Sequence, residues 1–156
     1  MYRDELDKMI LSTSKASLTE TNEEQKALLK TKVAVYRLIK AEYLKHKTAK
    51  NATPLDDATE VNILRKMAKQ REDSISEYAK ANRQDLVDSE TKELNVIKEM
   101  LPAEISAEQI ETTVKSLITN IEPIKKNMGL IIKSVKEVYP TADGKLVSSI
   151  VLKFLN

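Results

Sequence analysis

Residues 56–102, DDATEVNILRKMAKQREDSISEYAKANRQDLVDSETKELNVIKEMLP, contain two consecutive helical patterns separated by a short polar turn. In both halves the apolar side chains recur every three or four residues, as they do on one face of an α-helix. The first stripe is Val61, Leu64, Ala68, Ile75 and Tyr78, and the second is Leu86, Leu94, Ile97 and Leu101. Pro102 ends the second pattern. This stretch predicts a hairpin of two antiparallel helices.

Composition extends the helical prediction to the whole chain. Aromatic residues make up 4% of the 156 residues, and there are two glycines and four prolines, so the β-branched, aromatic and glycine-rich pattern of sheet proteins is missing. The spacing of Tyr2, Leu6, Met9 and Thr13 predicts a short first helix, after which the polar STSKASLTETNEEQ is expected to form a loop. A long second helix is expected from Asn22 to Lys47. Its apolar stripe is Leu28, Leu29, Val33, Val35, Tyr36, Ile39 and Tyr43.

Three short helices are predicted after Pro102. Ser106 to Gln109 form a Ser-x-x-Gln capping box, a stop is expected at Pro123, and Asp143 is a suitable cap for the last helix. Their apolar stripes are Ile110, Val114, Leu117 and Ile121; Met128, Ile131, Ile132, Val135 and Val138; and Val147, Ile150, Val151, Phe154 and Leu155. We therefore predict an all-α fold with an N-terminal antiparallel helical domain, 1–102, and a small three-helix C-terminal tail domain, 103–156.

Two charged residues fall on the apolar stripes of the central hairpin. Arg71 and Glu90 belong to consecutive helices and are expected to face one another as an interhelical ion pair that sets the helix register. A catalytic or ligand-binding role for them is the less favoured alternative. Arg83 and Asp85 are assigned to the turn between the helices, where Asn82 can end one helix and Asp85 suits the first turn of the next.

The residues that usually build active sites are scarce. The chain has no cysteine and one histidine, His46, which is expected at an exposed helix end where it contacts the last carbonyls. No glycine-rich phosphate loop or recognisable catalytic set is present. We predict no catalytic residues, no metal and no cofactor. Without a signal-like N-terminus or a long apolar run, the chain is expected to be cytoplasmic and not bound to membranes.

Charge is distributed unevenly along the chain. Residues 26–50 carry eight basic groups and one acidic group, and residues 115–156 carry seven and three, while the segments 1–25 and 51–114 are acidic. Such lysines are often merely the solvated faces of helices. The functional alternative is a surface that binds a polyanion, which would include both basic segments if they meet in space.

The tail domain holds the candidate RNA-binding residues. They are Lys125, Lys126, Lys133, Lys136, Lys145 and Lys153, here called the tail lysines, with Gly129 and Gly144 at two helix starts whose backbone N–H groups could bind phosphate. Because base-stacking aromatic residues are nearly missing, we expect recognition of RNA shape and backbone. For Gly129 we favour close helix packing over a phosphate contact, since glycine weakens a helix interior.

Two blocks of this chain carry a resemblance to a known family. KQREDSISEYAKANRQDLVDSETKELNVIKEMLPAEIS and KNMGLIIKSVKEVYPTADGKLVSSIVLKFL resemble the YqeY-like family, whose C-terminal part is similar to the tail domain of the B subunit of glutamyl/aspartyl-tRNA amidotransferase. The resemblance covers most of the chain from about Lys32 onward. The first forty residues resemble the family less, and KASLTETNEEQ replaces a shorter link.

The resemblance implies a helical N-terminal domain joined to a three-helix tail, and in the amidotransferase that tail contacts tRNA. The amide-transfer chemistry of the amidotransferase lies in a separate catalytic domain that this chain does not resemble. The label carbon-nitrogen ligase with glutamine as amido-N-donor therefore applies by similarity only. The resulting hypothesis is a non-catalytic protein that binds tRNA or another structured RNA. The alternative is an adaptor that packs on a partner enzyme or on a second copy, because long amphipathic helices suit that role equally.

Overall fold

The computed structural model describes residues 3–155 and contains seven α-helices in this range. They are α1 (Leu6–Thr19), α2 (Glu23–Thr48), α3 (Asp57–Lys80), α4 (Gln84–Met100), α5 (Ala107–Leu117), α6 (Met128–Val138) and α7 (Gly144–Lys153), with a 3₁₀ turn, Lys125–Asn127, before α6. The described residues contain no β-strand, and the predicted all-α fold is confirmed. Tyr2, part of the first predicted stripe, lies outside the described residues.

The chain divides into two compact units, Met1–Leu101 and Pro102–Asn156. In the first, α3 packs along α4, α1 packs along α2, and α2 also contacts α3 and α4. In the second, α5, α6 and α7 contact one another in pairs. That each unit folds on its own stays a prediction.

Each unit has its own apolar core. The first is centred on Ile39, Leu64 and Ile97, and the second on Ile110, Ile131 and Ile150, all of which are at most 1% exposed. Two residues predicted for these cores are instead exposed, Leu28 to 37% and Val138 to 56%. Both lie near the end of a predicted stripe, where the neighbouring helices no longer cover the surface.

The prediction of a loop after the first helix is wrong for much of that segment. Helix α1 continues to Thr19, so that only residues 20–22 connect it to α2. Ser17 is buried and its hydroxyl donates to the Ser14 carbonyl at 2.8 Å, which satisfies a polar group inside the helix. Packing against α2 thus outweighs the weak helix propensity of serine and threonine. The segment that resembled a lengthened link is mainly helix.

Helix α5 ends at Leu117, six residues before the predicted stop at Pro123. The predicted helix starts are confirmed, and the structure shows how they are made. Asn22 caps α2 by accepting from Gln25 N at 2.9 Å, and Asp143 caps α7 by accepting from Leu146 N at 2.8 Å. The capping box at α5 is complete, since Ser106 N also donates to the Gln109 side chain at 2.9 Å. These contacts satisfy N–H groups that a helix start leaves without intrahelical partners.

The turn between α3 and α4 has Asn82 in a left-handed conformation, with φ of 53°. Arg83 N donates to the Tyr78 carbonyl at 2.9 Å and Asn82 N donates to the Ala79 carbonyl at 3.1 Å, the paired bonds of a Schellman motif. Arg83 also makes two bonds to Asp85, Nε to Oδ1 at 2.9 Å and Nη2 to Oδ2 at 2.7 Å. This hydrogen bonding raises the pKa of Arg83 and lowers that of Asp85.

Candidate nucleic-acid interface

Five of the tail lysines are exposed and make no ion pair within residues 3–155: Lys125, Lys126, Lys133, Lys136 and Lys145. Lys153 is also exposed, and its Nζ lies 3.8 Å from Glu111 Oε1. Lys133 and Lys136 are three residues apart on α6 and face solvent, while Ile131 and Val135 of the same helix are buried. The lysine charges of α6 are therefore available to a ligand.

The Lys136 side chain reaches the start of the next helix. A Cβ added to Gly144, the first residue of α7, would lie 3.2 Å from Lys136 Nζ and 3.7 Å from its Cε. The absence of a side chain at Gly144 thus leaves room for the ammonium group. Lys145 follows in the same helical turn, so two lysines from different helices lie beside the α7 N-terminus. That terminus carries partial positive charge, which adds to the two lysine charges, while the carboxylate of its cap Asp143 offsets part of the sum.

The prediction that Gly129 allows close helix packing is wrong. A Cβ at this position would meet nothing within 4 Å, and the residue is exposed. Neither Gly129 nor Gly144 has a positive φ, so neither is required for a left-handed backbone. Close approach explains Gly144 but does not explain Gly129.

The basic segment of the first unit is partly neutralised by carboxylates. Lys32 Nζ lies 2.8 Å from Glu99 Oε2, Lys40 contacts Asp7, Lys26 lies 3.9 Å from Glu23, and Lys45 lies 3.7 Å from Glu42. Half of the eight basic residues in 26–50 are thus paired with carboxylates. Charge already paired within the protein is less available to a polyanion, which favours the tail lysines as the binding surface.

The charged stripe residues form a larger cluster than the sequence predicted. Arg71 Nε lies 3.3 Å from Glu90 Oε2, and its Nη2 lies 2.9 Å from Glu93 Oε2. The three side chains are between 21% and 28% exposed, so the cluster is half-buried at the contact between α3 and α4. The structure brings Arg71 and Glu90 together, as expected, and adds Glu93, which the stripe pattern did not predict.

The sequence did not lead us to predict that the carboxylate of Glu60 is buried. Its side chain is fully buried, and Arg3 Nη1 lies 3.4 Å from Glu60 Oε2 and 2.9 Å from Asp57 Oδ1. Burial raises the pKa of Tyr43, and the nearby charge of Glu60 adds to the rise. The sequence did contain a signal for this burial, because Glu60 precedes Leu64 by one helical turn and lies on the same apolar stripe.

His46 does not make the contact that we expected. His46 lies in the last turn of α2, and its Nε2 is 3.1 Å from the Thr53 carbonyl, beyond the helix and not at the helix carbonyls that we expected. Across residues 3–155 there is no group of three or more His, Cys, Asp or Glu side chains suited to a metal ion. In the same range, no helix is long and apolar enough to cross a membrane.

These features define a small all-helical protein with a lysine-rich surface on its C-terminal three-helix unit. The chain belongs to the YqeY-like family, since the family model described as Yqey-like protein matches residues 15–155.

Two relatives share a third of their residues with this chain over the matched regions. It is 32% identical over 119 residues to Altered inheritance of mitochondria protein 41, mitochondrial, from Vanderwaltozyma polyspora, in a match that covers 67% of this chain and 61% of the relative. It is 33% identical over 98 residues to the protein of the same name from Lachancea thermotolerans, with 61% and 49% covered. The chain thus spans about half to three fifths of the length of these curated relatives.

Proposed function

We propose that this protein binds structured RNA, with tRNA as the first candidate, through the tail lysines, and that it catalyses no reaction itself. The observation that carries the proposal is the set of five exposed lysines on α6, α7 and the preceding 3₁₀ turn that have no carboxylate partner among residues 3–155. Lysine contacts to phosphate require charge more than fixed geometry, so such a surface suits an RNA backbone.

The choice of tRNA rests on the resemblance of the tail to that of the amidotransferase B subunit. We propose that the protein acts in connection with the tRNA-dependent amidotransferase pathway by holding tRNA, while amide transfer takes place on another protein. Lys136 and Lys145, with the N-terminal N–H groups of α7, form the centre of the proposed contact. Gly129 contributes an exposed backbone position on α6.

A salt titration tests the proposal. Binding of fluorescently labelled tRNA is measured by anisotropy over a series of salt concentrations for the wild-type protein and for Lys133→Ala/Lys136→Ala. Each lysine that contacts phosphate should contribute about 0.7–0.9 to the slope of log affinity against log salt. The double variant should therefore bind more weakly and lose about twice that amount of slope.

Lys69→Ala/Lys80→Ala is the matched control, because it removes the same charge from two lysines of α3 that are each 69% exposed. This control should leave the slope unchanged. An unchanged slope for the α6 variant, or wild-type affinity at low salt no greater than that of a neutral protein, would refute RNA binding by the tail lysines. Purification with and without nuclease then distinguishes bound RNA from a protein partner.

The cellular compartment in which the protein acts is also a matter of proposal. The sequence predicts a cytoplasmic protein, whereas the names of both relatives place those proteins in mitochondria. Imaging of the tagged full-length protein in its own cells decides between the two locations, and the RNA that co-purifies should come from the same compartment.

A further inference from the structure

A groove of about 270 Å³ lies between α1 and α2 in the first unit. Among residues 3–155 its lining contains basic, hydroxyl and apolar side chains but no carboxylate: Ser14, Ser17, Lys30, Val33, Ala34 and Arg37. The four lining residues of α2 are spaced by three or four positions, so they share one face of that helix. The groove is therefore a positively charged space between two packed helices.

The two basic residues of this groove have no anionic partner within the protein. Within the described chain, the side chains of Lys30 and Arg37 make neither an ion pair nor a hydrogen bond, and both are exposed. Four other basic residues of the segment 26–50 are paired with carboxylates. Two positive charges of α2 thus remain uncompensated at the same groove.

The rest of the lining leaves space for a small ligand and supplies a hydroxyl donor. Val33 is buried beneath the groove, and Ala34, which lies between the two basic residues on the helix face, adds only a methyl group. The buried Ser17 hydroxyl donates to the Ser14 carbonyl. The Ser14 hydroxyl has no hydrogen-bond partner among residues 3–155, so it can donate to a ligand.

These donors suit a phosphate group. A guanidinium group binds oxyanions through two parallel N–H donors, and an ammonium group adds a compact charge. Lys30 and Arg37 are about 10 Å apart along the helix axis, so their long side chains can converge on one anion between them. A terminal phosphate carries about 1.5 to 2 negative charges near pH 7, which matches two cations, whereas a phosphate within a nucleic-acid backbone carries one.

We propose that the groove between α1 and α2 binds a terminal phosphate group, held by Lys30 and Arg37 with the Ser14 hydroxyl as a third donor. The ligand is a phosphate monoester, which is supplied either by a small phosphorylated molecule or by the phosphorylated end of a nucleic acid. This site lies in the first unit and uses none of the tail lysines. It is thus a second anion site, separate from the surface proposed for RNA.

An NMR titration of the isotope-labelled full-length protein with methyl phosphate, at constant ionic strength, tests the site. Amide signals of the groove residues should shift and saturate, with a dissociation constant on the order of 1 mM. Lys30→Ala/Arg37→Ala should bind at least roughly tenfold more weakly, because both charged donors are lost. Absence of a saturable shift at the groove in the wild-type protein would overturn the proposal.

Lys47→Ala/Lys50→Ala is the matched control, because it removes the same charge from two exposed lysines of the segment 26–50 that have no ion pair among residues 3–155. This control should bind methyl phosphate as the wild type does. An equal loss of affinity in the two double variants would show a general charge effect and overturn a specific site. Circular dichroism checks that both variants keep the wild-type helix content.

Dimethyl phosphate tests the preference for a terminal phosphate. It has the same tetrahedral centre as methyl phosphate but is a diester with a single charge, as in a nucleic-acid backbone. The wild-type groove should bind dimethyl phosphate roughly tenfold more weakly, since one charge-assisted contact is lost. Equal affinity for the two compounds would overturn the assignment of a monoester.

Two RNA oligonucleotides of one sequence, ending in a phosphate or in a hydroxyl group, then identify the source of the phosphate. Stronger binding of the phosphorylated RNA, abolished in Lys30→Ala/Arg37→Ala, would assign the groove to a nucleic-acid end. Equal binding of the two RNAs, with saturable binding of methyl phosphate, would assign it to a small phosphorylated molecule. Because the methyl phosphate titration contains no RNA, its result does not depend on the function of the tail lysines.

Discussion

Arg71 of α3 and Glu93 of α4 are joined by a contact of 2.9 Å between Nη2 and Oε2, and the same guanidinium lies 3.3 Å from Glu90. One cation thus serves two carboxylates, one helical turn apart on α4. A shift of either helix by one turn would separate these charges. We therefore expect the three residues to favour the observed register of α3 against α4.

Replacing Arg71 by alanine should lower the free energy of unfolding by about 2 kcal/mol, because two half-buried carboxylates would be left facing each other. Glu90→Gln and Glu93→Gln should each cost less, within about 1 kcal/mol, since one carboxylate remains with the arginine. Urea unfolding measures these values. Lys69→Ala, which removes an exposed pair with Asp73, is the control with little effect. If Glu90→Gln kept full stability but abolished RNA binding, Glu90 would have a functional role instead.

Gly129→Ala should stabilise the protein by up to about 1 kcal/mol, because the added methyl group meets nothing within 4 Å and alanine is the better helix former. Thermal unfolding followed by circular dichroism measures the change. Gly144→Ala should gain less, since its Cβ would approach Lys136 Nζ. In the salt titration, Gly129→Ala tests the predicted phosphate contact, and an affinity for tRNA equal to that of wild type would remove Gly129 from the proposed site.

Stability should decrease as the pH rises above about 10, partly because of Tyr43. Burial raises the pKa of its hydroxyl, so the folded state retains a proton that the unfolded state loses near tyrosine's ordinary pKa of about 10. Above that pH the folded state binds more protons than the unfolded state, and stability falls by up to about 1.4 kcal/mol per pH unit.

Tyr43→Phe should lose this part of the pH dependence, as measured by urea unfolding at several pH values on both sides of pH 10. The hydrogen bond to Glu99 raises the pKa of Lys32, which also makes stability decrease at high pH. Wild type and Tyr43→Phe share this second contribution. Tyr78→Phe, at a half-buried tyrosine, is the matched control. Equal slopes for wild type and Tyr43→Phe would contradict the argument.

The segment 102–156 should fold when it is expressed alone, since its core, including Val114 and Ile131, is complete within the unit. The fragment should show the helical circular dichroism signal and melt cooperatively. Ile131→Ala removes a fully buried side chain, which costs about 2–5 kcal/mol, and should unfold the fragment. A disordered fragment at neutral pH would show that the tail does not fold independently of the first unit.

Local signals predicted much of the fold correctly. Ser106 and Asp143 are predicted as helix caps from their positions before apolar stripes, and each accepts the expected backbone hydrogen bond. The end of α1 could not be predicted in the same way. Its serines favour a loop by their own propensity, and they become helical because Ser17 is buried in the tertiary structure.

By itself, the amino-acid sequence determined the helical class, the caps and the stripes, because these depend on contacts within a few residues along the chain. Tertiary structure alone decided which charges are free. It pairs Lys32 with Glu99, leaves Lys133 exposed, and brings Lys136 to the start of α7. Such contacts join residues that are distant in the sequence, and their formation depends on how the helices pack. The candidate RNA surface is therefore a property of the folded protein, although each of its lysines could be read from the sequence.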